Sequence, residues 1–225
     1  MRFHAKADLL RTLAPDVAVV TECARPEVLL RHEPRLGASG IAWAGRNPRK
    51  GLAVLSFGSW RVEPAAEAAR DLGTVLPVRI EGGRGFRLVA AWSSPGPPPL
   101  RSAIEALAPF LATGPAILAG DFNRSLVRRR RDGSVVPSRL ARRIAETGLE
   151  SAYHAARGVP FGGEPEPTLF VHRGLSWRRH VDHCFLDSGT LRGLRGVSVG
   201  PAFPWTLASD HAPLVVEIGP EEAAP

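Results

Sequence analysis

The hydrophobic positions of the chain follow two spacings, one typical of helices and one typical of strands. Ala5, Leu9 and Leu13 recur at the four-residue spacing that gives a helix one apolar face. Short apolar runs such as Val17–Val20 instead predict strands covered on both faces. The chain therefore predicts an α/β fold in which sheets pack together and helices cover them. The predicted helices are Ala5–Leu13, Pro26–Arg31, Leu100–Leu111 and Ser138–Glu146, and the predicted strands are Val17–Val20, Ile41–Ala44, Leu52–Phe57, Thr74–Ile80, Phe86–Trp92, Pro115–Ala119, Leu169–Val171, Arg179–Leu186, Arg195–Val199 and Leu214–Ile218.

Four of the predicted strands carry acidic, amide or imidazole side chains at or near one end. Gly120 follows the apolar run Pro115–Ala119 and allows the backbone to leave the strand conformation, so that Asp121 and Asn123 lie at the strand end. Several strands that each deliver such groups to one edge form the arrangement expected of a hydrolytic metal site. The other three groups are Glu22 after Val17–Val20, Asp182 within His180–Leu186, and Asp210 with His211 before Leu214–Ile218.

Taken in this order, the four groups resemble the endonuclease/exonuclease/phosphatase superfamily, which has the DNase I-like fold. The resemblance runs from about Lys6 to Ile218. It implies a four-layer α/β/β/α sandwich of two packed sheets with outer helices, forming one domain over residues 1–225 with a disordered tail over residues 219–225. The motifs are Glu22, Gly120-Asp121-Phe122-Asn123, Val181-Asp182-His183 and Ser209-Asp210-His211, with Trp43-Ala44-Gly45 and Lys50–Val54 resembling a bacterial branch of the superfamily.

The resemblance implies four catalytic residues, which are Asp121, Asn123, Asp182 and His211. His211 would act as a general base or contact the phosphate, with Asp182 orienting its ring. Asp121 would polarise the attacking water or protonate the leaving group, and Asn123 would donate its amide to a phosphate oxygen. The division of labour between Asp121 and His211 stays open at this point.

A metal ion is expected because hydrolysis of a phosphate ester needs the phosphoryl charge neutralised and the leaving oxygen stabilised. A hard dication held by carboxylate oxygens supplies both. The resemblance implies that Glu22 and Asp210 are the metal-side carboxylates. Because the candidate ligands are carboxylates and no Cys/His tetrad is present, we expect Mg²⁺ or Mn²⁺ as the cofactor.

Two histidines flank Asp182 and also need an interpretation. His180 and His183 are three residues apart, which on a strand places their side chains on opposite faces. We therefore do not expect a metal pair there, and we interpret His183 as a core residue or as a support for the site.

The start of the chain departs from the family pattern. Family members begin with a strand that ends in an Asn, which helps to hold the metal, whereas this chain opens into the predicted helix Ala5–Leu13 and its first Asn is Asn47. We expect that strand to be missing, either because the start is set too far downstream or because the strand is lost, and we expect the chain from Met1 to be less stable and to bind Mg²⁺ less tightly than an extended form. Trp92, Ser93 and Ser94 stand where relatives usually place a site His or Tyr, which leaves one phosphate contact open.

The formal charge of +7 comes almost entirely from arginine, since Lys6 and Lys50 are the only lysines among 29 basic residues. Arginines cluster after the Gly120–Asn123 motif. Arginine pairs bidentately with phosphate, so the Arg124–Arg143 segment is expected to contact DNA or RNA. The alternative is a solvated loop. The cluster comprises Arg124, Arg128, Arg129, Arg130, Arg131, Arg139, Arg142 and Arg143.

Composition points to a globular protein that stays inside the cell. No run approaches the roughly 18 apolar residues of a membrane helix, and the N-terminus lacks the apolar core of a signal peptide. Cys23 and Cys184 do not make a disulfide framework and are expected to be buried, reduced thiols. We expect a cytoplasmic monomer without a membrane span.

The leading hypothesis is a Mg²⁺-dependent phosphoesterase that hydrolyses phosphodiester bonds, in the manner of a nuclease. One alternative is a non-catalytic nucleic-acid-binding protein that keeps the site residues. Another is a phosphatase that acts on a small or lipid-linked phosphate.

Overall fold

Two β-sheets lie face to face in the computed structural model, which describes residues 6–65, 75–93, 99–173 and 176–219. The larger sheet has six strands. The two strands at its centre run parallel to each other, and all other neighbouring strands are antiparallel. Its strands, in spatial order, are β10 (Leu149–Ser151), β13 (Asp182–Asp187), β7 (Ala116–Asp121), β6 (Phe86–Trp92), β5 (Val75–Glu81) and β4 (Arg61–Pro64).

The opposing layer is divided into two antiparallel parts. One part has three strands in the spatial order β1 (Val17–Cys23), β3 (Lys50–Phe57) and β2 (Ala38–Asn47). The other pairs β14 (Leu194–Val199) with β15 (Leu214–Ile218). Two short hairpins lie outside these layers and pair β8 (Val127–Arg129) with β9 (Val135–Pro137) and β11 (Leu169–Phe170) with β12 (Arg178–Arg179).

Three hydrophobic clusters hold the layers together. The middle cluster joins the two sheets, with Val54 and Val197 on one side and Leu88 and Leu186 on the other. A second cluster packs α3 (Leu100–Leu111) and α4 (Arg139–Ala145) on the larger sheet, and a third packs α1 (Ala7–Thr12) and α2 (Pro26–His32) on β1 and β3. The layers therefore follow the predicted order α/β/β/α. The helices are α1 (Ala7–Thr12), α2 (Pro26–His32), α3 (Leu100–Leu111), α4 (Arg139–Ala145), α5 (Ala152–Arg157), α6 (Ser188–Arg192) and α7 (Ala202–Ala208).

Several predicted elements are confirmed to the residue, among them Phe86–Trp92, Leu100–Leu111 and Leu214–Ile218. The predicted cap of α4 is also present, because the Ser138 hydroxyl accepts a hydrogen bond from the Ala141 N–H at 3.1 Å. In contrast, the predicted strand Arg179–Leu186 is wrong as one element. The Thr168 hydroxyl accepts from the N–H groups of Val181 and Asp182 at 3.0 Å each, and the chain turns there between β12 and β13.

The outer edges of β1 and β15 line one cavity of about 1020 Å³ between the layers. Within the described residues, β1 pairs only with β3, and β15 pairs only with β14. Leu10 and Trp205 close the cavity on the helix side, and Leu88 and Ile117 close it on the side of the larger sheet. The absence of one inner strand stays a prediction, and so does the lower stability expected for this chain.

Some expectations fall on residues that the structure does not describe. Ala5 of the first predicted helix, Thr74 of a predicted strand, Ser94, and residues 220–225 of the predicted tail lie outside the described residues. Where the structure describes the chain, none of its helices is both long and apolar enough to cross a membrane.

Candidate active site

The candidate catalytic residues come together because three strands reach the same edge of the larger sheet. β7 ends at Asp121, and the antiparallel strand β13 begins directly opposite it at Asp182. The parallel strand β6 ends at Trp92, also in register with Asp121. His211 reaches this edge from the other layer through an isolated bridge to Leu169.

Asp121 is held by the tight turn that encloses it. Gly120 has a φ of +146°, and a Cβ there would lie 1.9 Å from the carbonyl oxygen of Ala91, so only glycine fits. After Asp121 the chain turns back, and Asn123 has a φ of 51°. The backbone N–H and side-chain amide of Asn123 each donate to one carboxylate oxygen of Asp121, both at 2.8 Å. The same amide also donates to the carbonyl of Ser93 at 3.0 Å.

His211 is oriented by a carboxylate and by its own turn. Its Nδ1 lies 2.8 Å from Oδ2 of Asp182, so Nδ1 carries the proton that the carboxylate accepts. The backbone N–H of His211 donates to the Ser209 hydroxyl at 3.0 Å. These bonds turn the other ring nitrogen, Nε2, toward Asp121, whose Oδ2 lies 4.0 Å away.

Burial and the neighbouring charges shift both titrating groups at the centre of the site. Burial raises the pKa of Asp121 to about 7, and the charge of Asp182 adds to this effect. Burial alone would lower the pKa of His211, but the carboxylates of Asp182 and Asp121 outweigh it and raise that pKa to about 9. At neutral pH His211 is therefore an imidazolium, and Asp121 exchanges its proton close to neutrality.

Glu22 and Asp210, the two carboxylates expected to bind the metal, lie at the same end of the fold. Each of them interacts with a lysine. Glu22 sits at a bulge in β1 with a φ of 57°, and its Oε1 lies 2.9 Å from the ammonium of Lys50. Burial raises the pKa of Glu22, but hydrogen bonds with cationic groups, Lys50 among them, turn the net shift downward. Asp210 exerts an electrostatic attraction on both Lys6 and His211.

The donor set fits a hard divalent cation. Potential ligand atoms of Asp121, Asp182 and His211 lie within 4.8 Å of one another, but a protonated His211 has no lone pair to offer, so the carboxylates are the candidate ligands. Among the described residues, this is the only such group of three acidic, histidine or cysteine side chains. Glu22 and Asp210 supply further carboxylate oxygens nearby, and oxygen-rich sites of this kind suit Mg²⁺ or Mn²⁺.

The structure thus brings two hydrogen-bonded pairs together, Asp121 with Asn123 and Asp182 with His211, whose facing atoms lie 4.0 Å apart. Glu22 and Asp210 interact electrostatically with this cluster. Three participants were not anticipated from the sequence. They are the carbonyl of Ser93, the ammonium of Lys50, which also lies 5.3 Å from the centre of the Trp92 ring, and the ammonium of Lys6. One hint of the two lysines was present in the sequence, since Lys6 and Lys50 are the only lysines in an arginine-rich chain.

The prediction that His180 and His183 lie on opposite faces is wrong. Their ring centres are only 5.0 Å apart, because His180 precedes β13 and its Nδ1 donates to the carbonyl of Glu166 at 2.7 Å. His183 is a core residue, 2% exposed, between Phe122 and Phe185. Among the residues that the structure describes, neither of its ring nitrogens has a hydrogen-bond partner, nor does Nε2 of His180.

The buried His183 ring predicts a pH-dependent loss of stability. Burial, aided by His180 and His154, lowers the pKa of His183 to about 3, whereas an unfolded chain has a value of about 6.5. Below about pH 6.5 the unfolded state therefore binds more protons, and stability falls toward pH 3. We expect His183→Phe to raise the free energy of unfolding by about 1–3 kcal/mol at pH 7, because two unpaired nitrogens are removed, and by more at pH 5.

Urea unfolding of the parent and the His183→Phe variant at pH 7 and pH 5 measures this. If the free energy of unfolding changes by the same amount between pH 7 and pH 5 in both proteins, His183 is not the cause of the loss of stability in acid.

Two facing sheets with outer helices, and an Asp–His–Asp cluster at their strand ends, define the DNase I-like class of α/β proteins. Within this class, a comparison with protein families identifies the family of this chain. The chain belongs to the Endonuclease/Exonuclease/phosphatase family, whose model matches residues 7–211. Among curated proteins no sequence match was found.

Solved structures agree on the fold. A 3′ phosphatase from Neisseria bound to a product DNA hairpin has a TM-score of 0.69 and 17% identity, over 97% of this chain and 96% of that one. A 3′-5′ exonuclease from Neisseria meningitidis has a TM-score of 0.70 and 18% identity, over 96% of both chains. An AP endonuclease from Archaeoglobus fulgidus has a TM-score of 0.69 and 18% identity, over 96% of this chain and 93% of that one.

Proposed function

We propose that the protein is a Mg²⁺- or Mn²⁺-dependent phosphoesterase that hydrolyses phosphodiester bonds, with a nuclease-like choice of substrate. The observation that carries the proposal is the Asp182–His211–Asp121 cluster, in which one carboxylate orients the imidazole and the other faces its free nitrogen at 4.0 Å. That distance is too long for a good hydrogen bond, so both groups are available to a third partner between them.

The proposed roles follow from protonation and contacts. His211, held as an imidazolium by Asp182, would donate from Nε2 to a phosphoryl oxygen and stabilise its growing charge. Asp121, with a pKa of about 7, would accept a proton from the attacking water or return one to the leaving oxygen. Asn123 already donates its amide to Asp121 and Ser93, which favours a role in fixing the Asp121 carboxylate.

Glu22 and Asp210 would hold the divalent cation, with Asp182 close by. When bound, the cation would neutralise charge on the phosphoryl group and the leaving oxygen. Glu22 is already in its charged form, because cationic neighbours keep its pKa low. The site thus offers preformed carboxylates next to the general acid–base pair.

A polymeric substrate is favoured by the charge beside the site. Directly after Asn123 the chain forms the β8–β9 hairpin, where Arg128, Arg129, Arg130 and Arg131 are all exposed. The expected loop is therefore an ordered hairpin instead. Arginines fixed on a hairpin next to a hydrolytic site suit a phosphate backbone. The structural neighbours named above include a protein bound to DNA.

The hairpin arginines give a testable salt dependence. If Arg128–Arg131 meet a nucleic-acid backbone, replacing all four with Gln should flatten the plot of log K against log salt by about one unit per lost phosphate contact. Cleavage of a small phosphodiester should not change. Fluorescence anisotropy with a labelled DNA or RNA oligonucleotide over a salt series measures the slope. The control is Arg31→Gln with Arg35→Gln, which removes exposed arginine charge at α2. An unaltered slope in the quadruple variant would assign the hairpin to solvent.

A substrate panel in Mg²⁺ tests the proposed function itself. Plasmid DNA, single-stranded RNA, a generic phosphodiester and a generic phosphomonoester are offered to the same enzyme sample. Cleavage of any diester supports the proposal. Turnover of the monoester alone would assign the protein to the phosphatases. Binding of nucleic acid without any turnover would make it a non-catalytic binding protein.

A further inference from the structure

The chain has two lysines against 27 arginines, and both lysine ammonium groups lie at the carboxylate site. Lys50 pairs with Glu22 from the start of β3. Lys6 directly precedes α1 and donates to the Ser209 hydroxyl at 3.3 Å. Elsewhere the chain uses arginine for positive charge. A lysine ammonium is a compact, point-like cation, unlike the planar guanidinium of arginine.

The surroundings of Lys6 are those of a bound cation. Its side chain is half-buried and lines the cavity that Asp121, Asp182 and His211 also line. Burial lowers the pKa of Lys6, and the carboxylates of Asp210, Glu22 and Asp182 oppose this shift because they attract its ammonium. Its hydrogen-bond partner Ser209 is 1% exposed and also accepts from the backbone of His211, which fixes Lys6 to the turn that carries Asp210 and His211.

We propose that the Lys6 ammonium is a built-in cation of this carboxylate cluster, which balances Glu22, Asp182 and Asp210 and which a divalent cation must displace or share the site with. Glu22 already pairs with Lys50 and Asp182 with His211, so the charge of Lys6 adds to theirs and counts most for Asp210, the residue after its partner Ser209. The part of this inference that concerns displacement rests on the metal dependence of the proposed function.

Metal binding tests the inference without any assay of turnover. Lys6→Gln removes the ammonium, so its affinity for Mg²⁺ or Mn²⁺ should rise by about tenfold or more over the parent, because a repulsive charge near the dication is lost. Lys6→Arg keeps the charge and should not bind more tightly than the parent. Arg31→Gln removes one exposed positive charge on α2 and should leave affinity unchanged. Isothermal titration of the metal-stripped proteins with MgCl₂ and MnCl₂ gives the three comparisons.

Thermal midpoints supply a second readout. In excess EDTA, Lys6→Gln should melt below the parent, because the cluster has lost its cation. Saturating Mg²⁺ should raise its midpoint more than that of the parent. If Lys6→Gln is unfolded in EDTA, added Mg²⁺ should refold it, and a variant that stays unfolded with the metal would contradict the proposal.

Equal metal affinities and equal midpoints in parent and Lys6→Gln would overturn the inference and leave the hydrolytic function standing if the parent cleaves a diester. Tighter metal binding by Lys6→Gln, with no turnover of any phosphate ester by either protein, would support the inference and refute the proposed function. If neither protein binds Mg²⁺ or Mn²⁺, the Lys6 ammonium does not compete with a divalent cation, and the inference is refuted.

Discussion

Replacing His211 with Ala, or Asp121 with Asn, is expected to lower turnover of a phosphodiester by at least about a hundredfold. The reason is that each residue supplies one half of the proposed acid–base pair, and their facing atoms lie 4.0 Å apart. The substitutions should act mainly on turnover, because Asn can keep one of the two hydrogen bonds that the Asp121 carboxylate accepts from Asn123 through its single acceptor oxygen.

Steady-state kinetics with a small phosphodiester, together with far-UV circular dichroism, measures the effect on rate and on fold. The matched controls are His172→Ala and Asp132→Asn, which change exposed residues of the same types away from the cluster. If folded His211→Ala and Asp121→Asn proteins keep near-parental rates, the catalytic assignment is wrong.

Removal of divalent metal is expected to abolish turnover completely, and Mg²⁺ or Mn²⁺ should restore it. The candidate ligands are carboxylates, which bind such ions only in the charged form, and Glu22 is held in that form at neutral pH. Glu22→Gln should therefore raise the Mg²⁺ concentration needed for half-maximal rate, or eliminate turnover, while the protein remains folded.

The comparison is a Mg²⁺ titration of the rate for the parent, Glu22→Gln and Glu27→Gln. Glu27 is an exposed acid on α2 and serves as the control for loss of one carboxylate. Full activity of the parent in excess chelator would refute the metal dependence, and an unchanged Mg²⁺ requirement in Glu22→Gln would remove Glu22 from the ligand set.

The parts of the structure that the sequence predicts best are those set by local pattern. The helix Leu100–Leu111 and the strand Leu214–Ile218 follow their apolar spacing to the residue. The meeting of Asp121 and Asp182 was also predictable, because acids at the ends of neighbouring strands reach one sheet edge, and β7 and β13 are such neighbours.

What the sequence did not reveal depends on contacts between distant segments. The rings of His180 and His183 share one side because the Thr168 hydroxyl bends the chain between them, which no strand periodicity encodes. Lys6 is held at the site by Ser209, 203 positions away, whose hydroxyl accepts a hydrogen bond from its ammonium. The β8–β9 hairpin was missed because its strands have three residues each and too few apolar positions to show a period.

The most direct test of the account is to measure hydrolysis of a generic phosphodiester and of an oligonucleotide in Mg²⁺ by the parent and by the double variant Asp121→Asn/His211→Ala. Both proteins are purified side by side and confirmed to be folded. We expect clear turnover of at least one diester by the parent and a loss of at least about a hundredfold in the double variant. Equal rates in the two proteins, or no hydrolysis of any phosphate ester by the parent in Mg²⁺ or Mn²⁺, would contradict it.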